Sequence, residues 1–174
     1  MKRYLLPALV AGFGAGVLSI VPVVNSFTCC LFVPLAAYFA LFLDLRAAGN
    51  FREPIEVEHA ILIGVFTGLF AALFSTLFDV TITMITRSNP IIDEFIGMQN
   101  LINSIPFISL EDKKISINLI AGMINDLETT GFSFLYTTSK LFTNLIVYTI
   151  FGLAGGLIGR QLINKRIDRF NQGQ

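Results

Sequence analysis

Apolar positions run almost unbroken through four stretches of the chain, Tyr4–Val24, Phe27–Leu43, Ala60–Ile85 and Phe132–Gly159. Charged residues are nearly confined to the segments between and after them. A helix crossing a hydrocarbon core needs about 20 apolar residues, and each stretch reaches or approaches that length. The pattern predicts an all-α membrane protein with four transmembrane helices arranged as two hairpins. The whole chain, 1–174, then forms one membrane domain, with an outer insert at 86–131 and a cytoplasmic tail at 160–174.

The stretches differ in character. Pro7 falls in the first turn of the first, where proline is tolerated, while Pro22 weakens its outer end. Only Asn25 and Ser26 separate the first stretch from the second, which requires a tight helical hairpin. The second is short and contains Pro34, so it either crosses fully or is kinked and partly re-entrant.

The insert changes period. Asn89-Pro90 reads as an N-cap with proline at the first helical position, and Asp93 and Glu94 suit the first turn. Ile92, Phe95, Ile96, Gln99 and Ile102 recur at helical spacing up to Pro106. Ser109 followed by Asp112 resembles a capping box and opens a second amphipathic helix carrying Leu119, Ile120, Met123, Ile124 and Leu127. Two such helices are expected to lie on the membrane surface or to fold over the outer mouth of the spans, as a cap or as a docking face for a partner.

Composition strengthens the membrane assignment: 54% of residues are hydrophobic, 14% are charged, and the mean hydropathy is +0.73. The net charge of zero carries no signature of a nucleic-acid binder, so no nucleic-acid partner is expected. Topology follows from the placement of the basic residues. With the N-terminus inside, the inner segments hold Lys2, Arg3, Arg46, Arg52, Arg160, Lys165, Arg166 and Arg169. The outer segments hold only Arg87, Lys113 and Lys114, so both termini are expected in the cytoplasm. Met1-Lys2-Arg3 before an apolar run suits an uncleaved signal-anchor better than a cleaved leader, because no small-x-small cleavage site is convincingly placed after it. The tail Arg160, Lys165, Arg166 and Arg169 suits anionic headgroups.

Small residues stripe three of the four stretches. Gly12 and Gly16 mark the first, Gly64 and Gly68 the third, and Gly152 and Gly156 the fourth, with Gly155 and Gly159 beside the last pair. Such stripes let helix backbones approach closely, within one chain or between copies.

Four features could carry chemistry. Cys29 and Cys30 are adjacent, but no further cysteine exists, so they read as small buried hydrophobes rather than as metal ligands. Glu56 and His59 share a helix face at the start of the third stretch, but a single Glu-x-x-His is too little for a metal site. The basic tail reads as topology. Asp79 and Lys140 are the informative pair. Equal lengths of apolar chain precede the one and follow the other on antiparallel helices, which places both charges at one depth near the outer boundary. They are expected either to snorkel separately, to form an intramembrane ion pair, or to line a solute or ion site. Thr76, Thr83, Thr137, Thr143 and Asn144 could extend the pair into a polar cluster. No catalytic constellation, cofactor motif or metal-ligand set is present in the sequence, and an enzyme is not expected.

The run Gly12-Phe13-Gly14-Ala15-Gly16-Val17-Leu18-Ser19-Ile20-Val21-Pro22, followed by Cys29-Cys30 and Pro34, resembles small bacterial and archaeal membrane proteins grouped only as a domain of unknown function. The resemblance implies a prokaryotic cytoplasmic membrane and a four-helix topology, and it implies no activity. The expected function is therefore that of a non-enzymatic accessory, scaffold or assembly component of a membrane complex. The alternative is an oligomeric transporter or channel element for a small solute or ion. The expected partners are the lipid bilayer and either further copies of the chain or other subunits of a membrane complex.

Overall fold

The computed structural model describes residues 4–21, 27–49 and 53–172. These residues form seven α-helices joined by short connections, with no strand among them. The helices are α1 (Leu5–Leu18), α2 (Val33–Ala48), α3 (Val57–Thr86), α4 (Pro90–Asp93), α5 (Phe95–Ser104), α6 (Leu110–Thr130) and α7 (Phe134–Gln172). The Asn25–Ser26 connection, the end of the first apolar stretch at 22–24, and Lys2, Arg3 and Arg52 lie outside the described residues.

Three helices are long and apolar enough to cross a membrane: Thr28–Ala48, Val57–Thr86 and Phe134–Arg169. The first stretch yields a shorter helix than its apolar length predicts. α1 has 14 residues, a rise of about 21 Å, and closes at Ser19. Beyond it the chain tightens into turns, with the Ile20 and Val21 N–H groups donating to the Val17 and Leu18 carbonyls.

The second stretch is longer than predicted. A π-helical turn, Thr28–Phe32, runs directly into α2 to make one continuous helix, and Pro34 falls in the first turn after the π segment. The wider turn accommodates a residue that can donate no backbone hydrogen bond and that crowds the preceding carbonyl. Asp44 and Arg46 consequently lie within α2, which ends at Gly49 in the left-handed conformation (φ 68°).

The chain divides into two compact units, residues 1–78 with 141–174 (unit 1) and residues 79–140 (unit 2). In unit 1, small residues make the closest helix seams, Val33, Leu41, Ile63 and Ile163 fill the core beside them, and many large apolar residues face outward. Ala8, Ala11, Gly12, Ala15 and Gly16 are the buried side of α1, while Leu6, Phe13 and Val17 are exposed. Ala60, Ala71, Ala72 and Thr67 are fully buried on α3, while Leu73 and Leu77 are exposed.

The glycines set the distances. A Cβ on Gly12 would stand 2.7 Å from the Cβ of Phe70, and one on Gly16 would stand 2.6 Å from that of Phe74. Gly64 and Gly152 each face the other's carbonyl oxygen at 2.5 Å from where a Cβ would be, and Gly156 meets the carbonyl of Ala60 at the same distance. Gly68 faces the backbone of Tyr148 and Thr149. Gly155 and Gly159 serve another neighbour: they lie against Pro34 and Tyr38 of α2. Thus α1 meets α3, α3 meets α7, and α7 meets α2, each with almost no side chain between the backbones. Phe13 meets Phe74 and Phe78 edge-on along the α1–α3 seam, and Phe74 and Phe78 stack, with ring centroids 5.2–6.2 Å apart.

Unit 2 holds the insert. Asn89 caps α4 by accepting from the Ile91 N–H at 3.2 Å, and Ser109 caps α6 by accepting from the Asp112 N–H at 3.1 Å. The insert has a break at Glu94 that divides the expected first helix into α4 and α5. Gly131 ends α6 in the left-handed conformation (φ 75°), and the Arg87 guanidinium donates to the Thr129 carbonyl in the last turn of that helix. Ile124 and Leu127 are buried, whereas Ile96, Leu101, Phe107 and Leu110 are exposed by two-thirds or more of their surface.

Candidate functional site

In unit 2, Asp79, Asn89 and Lys140 gather around Tyr136, with Thr83 joined through Asn89. Lys140 on α7 places its Nζ 2.6 Å from Asp79 Oδ1 on α3. The Tyr136 hydroxyl, one turn before Lys140, accepts from Lys140 Nζ at 3.0 Å and lies 3.0 Å from Asp79 Oδ2, to which it donates. The ammonium also lies 5.4 Å from the centre of the Tyr136 ring, within reach of a cation–π contact.

Asn89, nearly fully buried, closes the cluster. Its Nδ2 donates to the Thr83 hydroxyl at 2.8 Å and to the Tyr136 oxygen at 3.1 Å. Its Oδ1 stands 3.2 Å from that same hydroxyl, so Asn89 and Asp79 compete for one phenolic proton. Asp79 and Lys140 are thus joined directly, and two groups outside the sequence expectation, Tyr136 and Asn89, complete the arrangement. Tyr136 could have been found from its i, i+4 spacing to Lys140. Asn89 could not, because its capping role accounts for its place in the sequence.

Of the threonines expected around the pair, Thr83 joins it. In unit 1, Thr76 instead accepts a hydrogen bond from Asn144 Nδ2 at 3.1 Å, and Thr143 is exposed.

Unit 1 contains two further polar groupings. Ser19 Oγ donates to the Gly16 carbonyl at 2.6 Å and lies 2.8 Å from Ser75 Oγ, which stands 3.5 Å from the Tyr148 hydroxyl. At the other end of α3, His59 Nε2 lies 2.7 Å from Oδ2 of Asp44 on α2, with the Asp44 side chain only 4% exposed. Glu56, expected to share a face with His59, is exposed. The partner of the histidine comes from a different helix, and spacing along one helix could not have indicated it.

Nearby, the Ile55 backbone is fastened to α7. Its N–H donates to Asn164 Oδ1 at 2.8 Å, and its carbonyl accepts from Arg160 Nε and Asn164 Nδ2. Arg160 therefore has a structural bond in addition to its topological charge. Asp44, Glu53, Glu56 and His59 line a shallow cleft of about 280 Å³. Among the described residues, no group of three His, Cys, Asp or Glu side chains is placed to hold a metal ion. Cys29 and Cys30 are thiols in the π-helical turn with their sulfurs 3.3 Å apart; Cys30 is exposed rather than buried.

Chemically, the Tyr136 cluster neutralises itself: one cation, one anion and a hydroxyl satisfy each other. It is suited to holding helix ends together in a medium where an isolated charge is costly. No protein-family model, curated protein or solved structure matches the chain.

Proposed function

We propose that this is a non-enzymatic integral membrane protein of the bacterial cytoplasmic membrane, serving as an accessory, scaffold or assembly component of a membrane complex. It crosses the bilayer four times as a four-helix bundle, with α1 in the first span and both termini in the cytoplasm. The observation that carries the membrane placement is the large apolar surface that unit 1 leaves uncovered. Glycine and alanine line the closest helix seams beside a core of Val33, Leu41, Ile63 and Ile163, while Leu6, Leu77, Phe142 and Ile150 are each more than half exposed. In water this arrangement would leave the largest apolar side chains unburied, at about 1.5–3 kcal/mol each. In lipid those side chains lose nothing, and close backbone contact is what drives helices together.

A component role is favoured over transport by the closed character of the Tyr136 cluster. Its charged groups are bonded to each other rather than presented to a solute. Unit 2 also keeps Phe107 and Leu110 89% and 79% exposed, an apolar surface available to a partner.

Purification in mild detergent tests the reading. A stoichiometric companion protein should co-elute, and Phe107→Ser with Leu110→Ser should release it while the chain stays membrane-bound. Solute flux in liposomes that depends on Asp79 would overturn the component role. Release of the chain by alkaline carbonate would overturn the membrane placement.

A further inference from the structure

We propose that the groove between α2 and the C-terminal part of α7 binds an anionic phospholipid, with the lipid phosphate on Arg166 and an acyl chain along the groove. This rests on the membrane placement proposed above.

The groove has a volume of about 440 Å³ and lies within unit 1. Tyr38, Phe42 and Leu45 of α2 form one side, and Leu162, Ile163 and Ile167 of α7 form the other side and the floor. Ile167 is 7% exposed and makes the floor, whereas Leu162 is 59% exposed and leaves the rim open sideways. All these side chains suit hydrocarbon. Arg166 lines the same groove, is exposed, and makes no ion pair among the described residues.

The place along α7 matters as much as the lining. The apolar stretch of α7 ends at Gly159, yet the helix continues to Gln172. The groove therefore flanks the part of the helix that leaves the hydrocarbon, where the first methylenes of a lipid give way to its phosphate. A guanidinium suits phosphate because its planar N–H groups match two oxygens at once.

The charge on this stretch of α7 fits an anionic headgroup better than a zwitterionic one. Lys165 and Arg169 flank Arg166, and Arg160 lies further back on the same helix. Asp168 is the one acidic residue in that stretch, and it points about 200° around the helix from Arg166. Asp44, on α2, is buried and bonded to His59. Basic clefts between helices on the cytoplasmic side are the usual seat of anionic lipid headgroups.

The experiment titrates the delipidated full chain with phosphatidylglycerol and with phosphatidylcholine of the same acyl chains, and reads bound lipid by native mass spectrometry. One retained phosphatidylglycerol is expected, with phosphatidylcholine held more weakly. Arg166→Gln should weaken phosphatidylglycerol about fivefold. Lys165→Gln, about 100° around the helix, and Arg169→Gln, nearly one turn further along it and outside the groove lining, should change it far less. Leu45→Trp, which fills the groove, should weaken binding with the charges intact.

Equal retention of both lipids, or equal loss from all three charge substitutions, would overturn the proposal in favour of plain apolar or plain surface attraction. A dimer whose formation depends on Leu162 would overturn it in favour of a second copy. Carbonate extraction separates the cases: a chain that resists extraction but shows no lipid preference leaves the membrane placement standing and refutes only the site.

Discussion

Lys140 has its charge answered from two directions, by the Asp79 carboxylate at 2.6 Å and by the Tyr136 oxygen at 3.0 Å. With its side chain 27% exposed, it keeps only partial access to the surroundings. Replacing one partner of such a pair therefore costs more than replacing both. Asp79→Asn is expected to destabilise the protein by about 1–3 kcal/mol, because the ammonium keeps its desolvation while losing its counter-charge. Asp79→Asn combined with Lys140→Met should recover part of that loss. Thermal aggregation midpoints in detergent measure both, and a double variant that is less stable than Asp79→Asn alone would contradict a structural ion pair. The pair was legible in the sequence because antiparallel apolar runs of equal length put the two charges at one depth. Its partners were not, because Asn89 arrives from a helix cap and Tyr136 carries no charge to draw notice. The same reason hid Asp44: His59 finds it across two helices, and no periodicity links residues 44 and 59.

At the scale of elements, the glycine stripes divide by neighbour. Gly64, Gly68, Gly152 and Gly156 join α3 to α7, and Gly12 and Gly16 join α1 to α3, whereas Gly14 has nothing within 4 Å of its would-be Cβ. Gly68→Ala and Gly152→Ala should each cost about 1–3 kcal/mol or lower accumulation in the membrane, since the added methyl meets backbone that cannot move aside. Gly14→Ala should be neutral or slightly stabilising, as alanine is the better helix former by up to about 1 kcal/mol. Comparing the three variants for expression and thermal stability checks the assignment. A loss at Gly14 equal to that at Gly68 would mean that the stripes contribute through chain flexibility rather than close contact. Element types and most starts were readable: Asn89 and Ser109 cap helices as their spacing predicts. The early end of α1 and the π-helical turn before Pro34 were not, because proline announces a disturbance without saying how the backbone absorbs it.

For the whole molecule, the proposed orientation makes a direct prediction. With Cys29 and Cys30 replaced by serine, a cysteine at Lys113 should react with an impermeant thiol reagent added to intact cells. A cysteine at Arg166 should react only after the membrane is opened. Labelling in the reverse order would invert the topology and move the proposed lipid site to the other leaflet. The prediction rests on the sorting of charge, since basic residues resist translocation.

The sequence by itself determined that the chain is helical, that it has apolar helices of membrane-crossing length, and where its charges fall between them. These are properties of composition and period, and the cost of an unpaired backbone in an apolar medium leaves helices as the economical answer. The tertiary structure alone decided which glycine faces which backbone, that Tyr136 and Asn89 complete the Asp79–Lys140 pair, that Asp44 meets His59, and that a groove opens beside Arg166. Those arrangements depend on the rotation and approach of helices distant in sequence, and periodicity along a single helix carries no record of its neighbour.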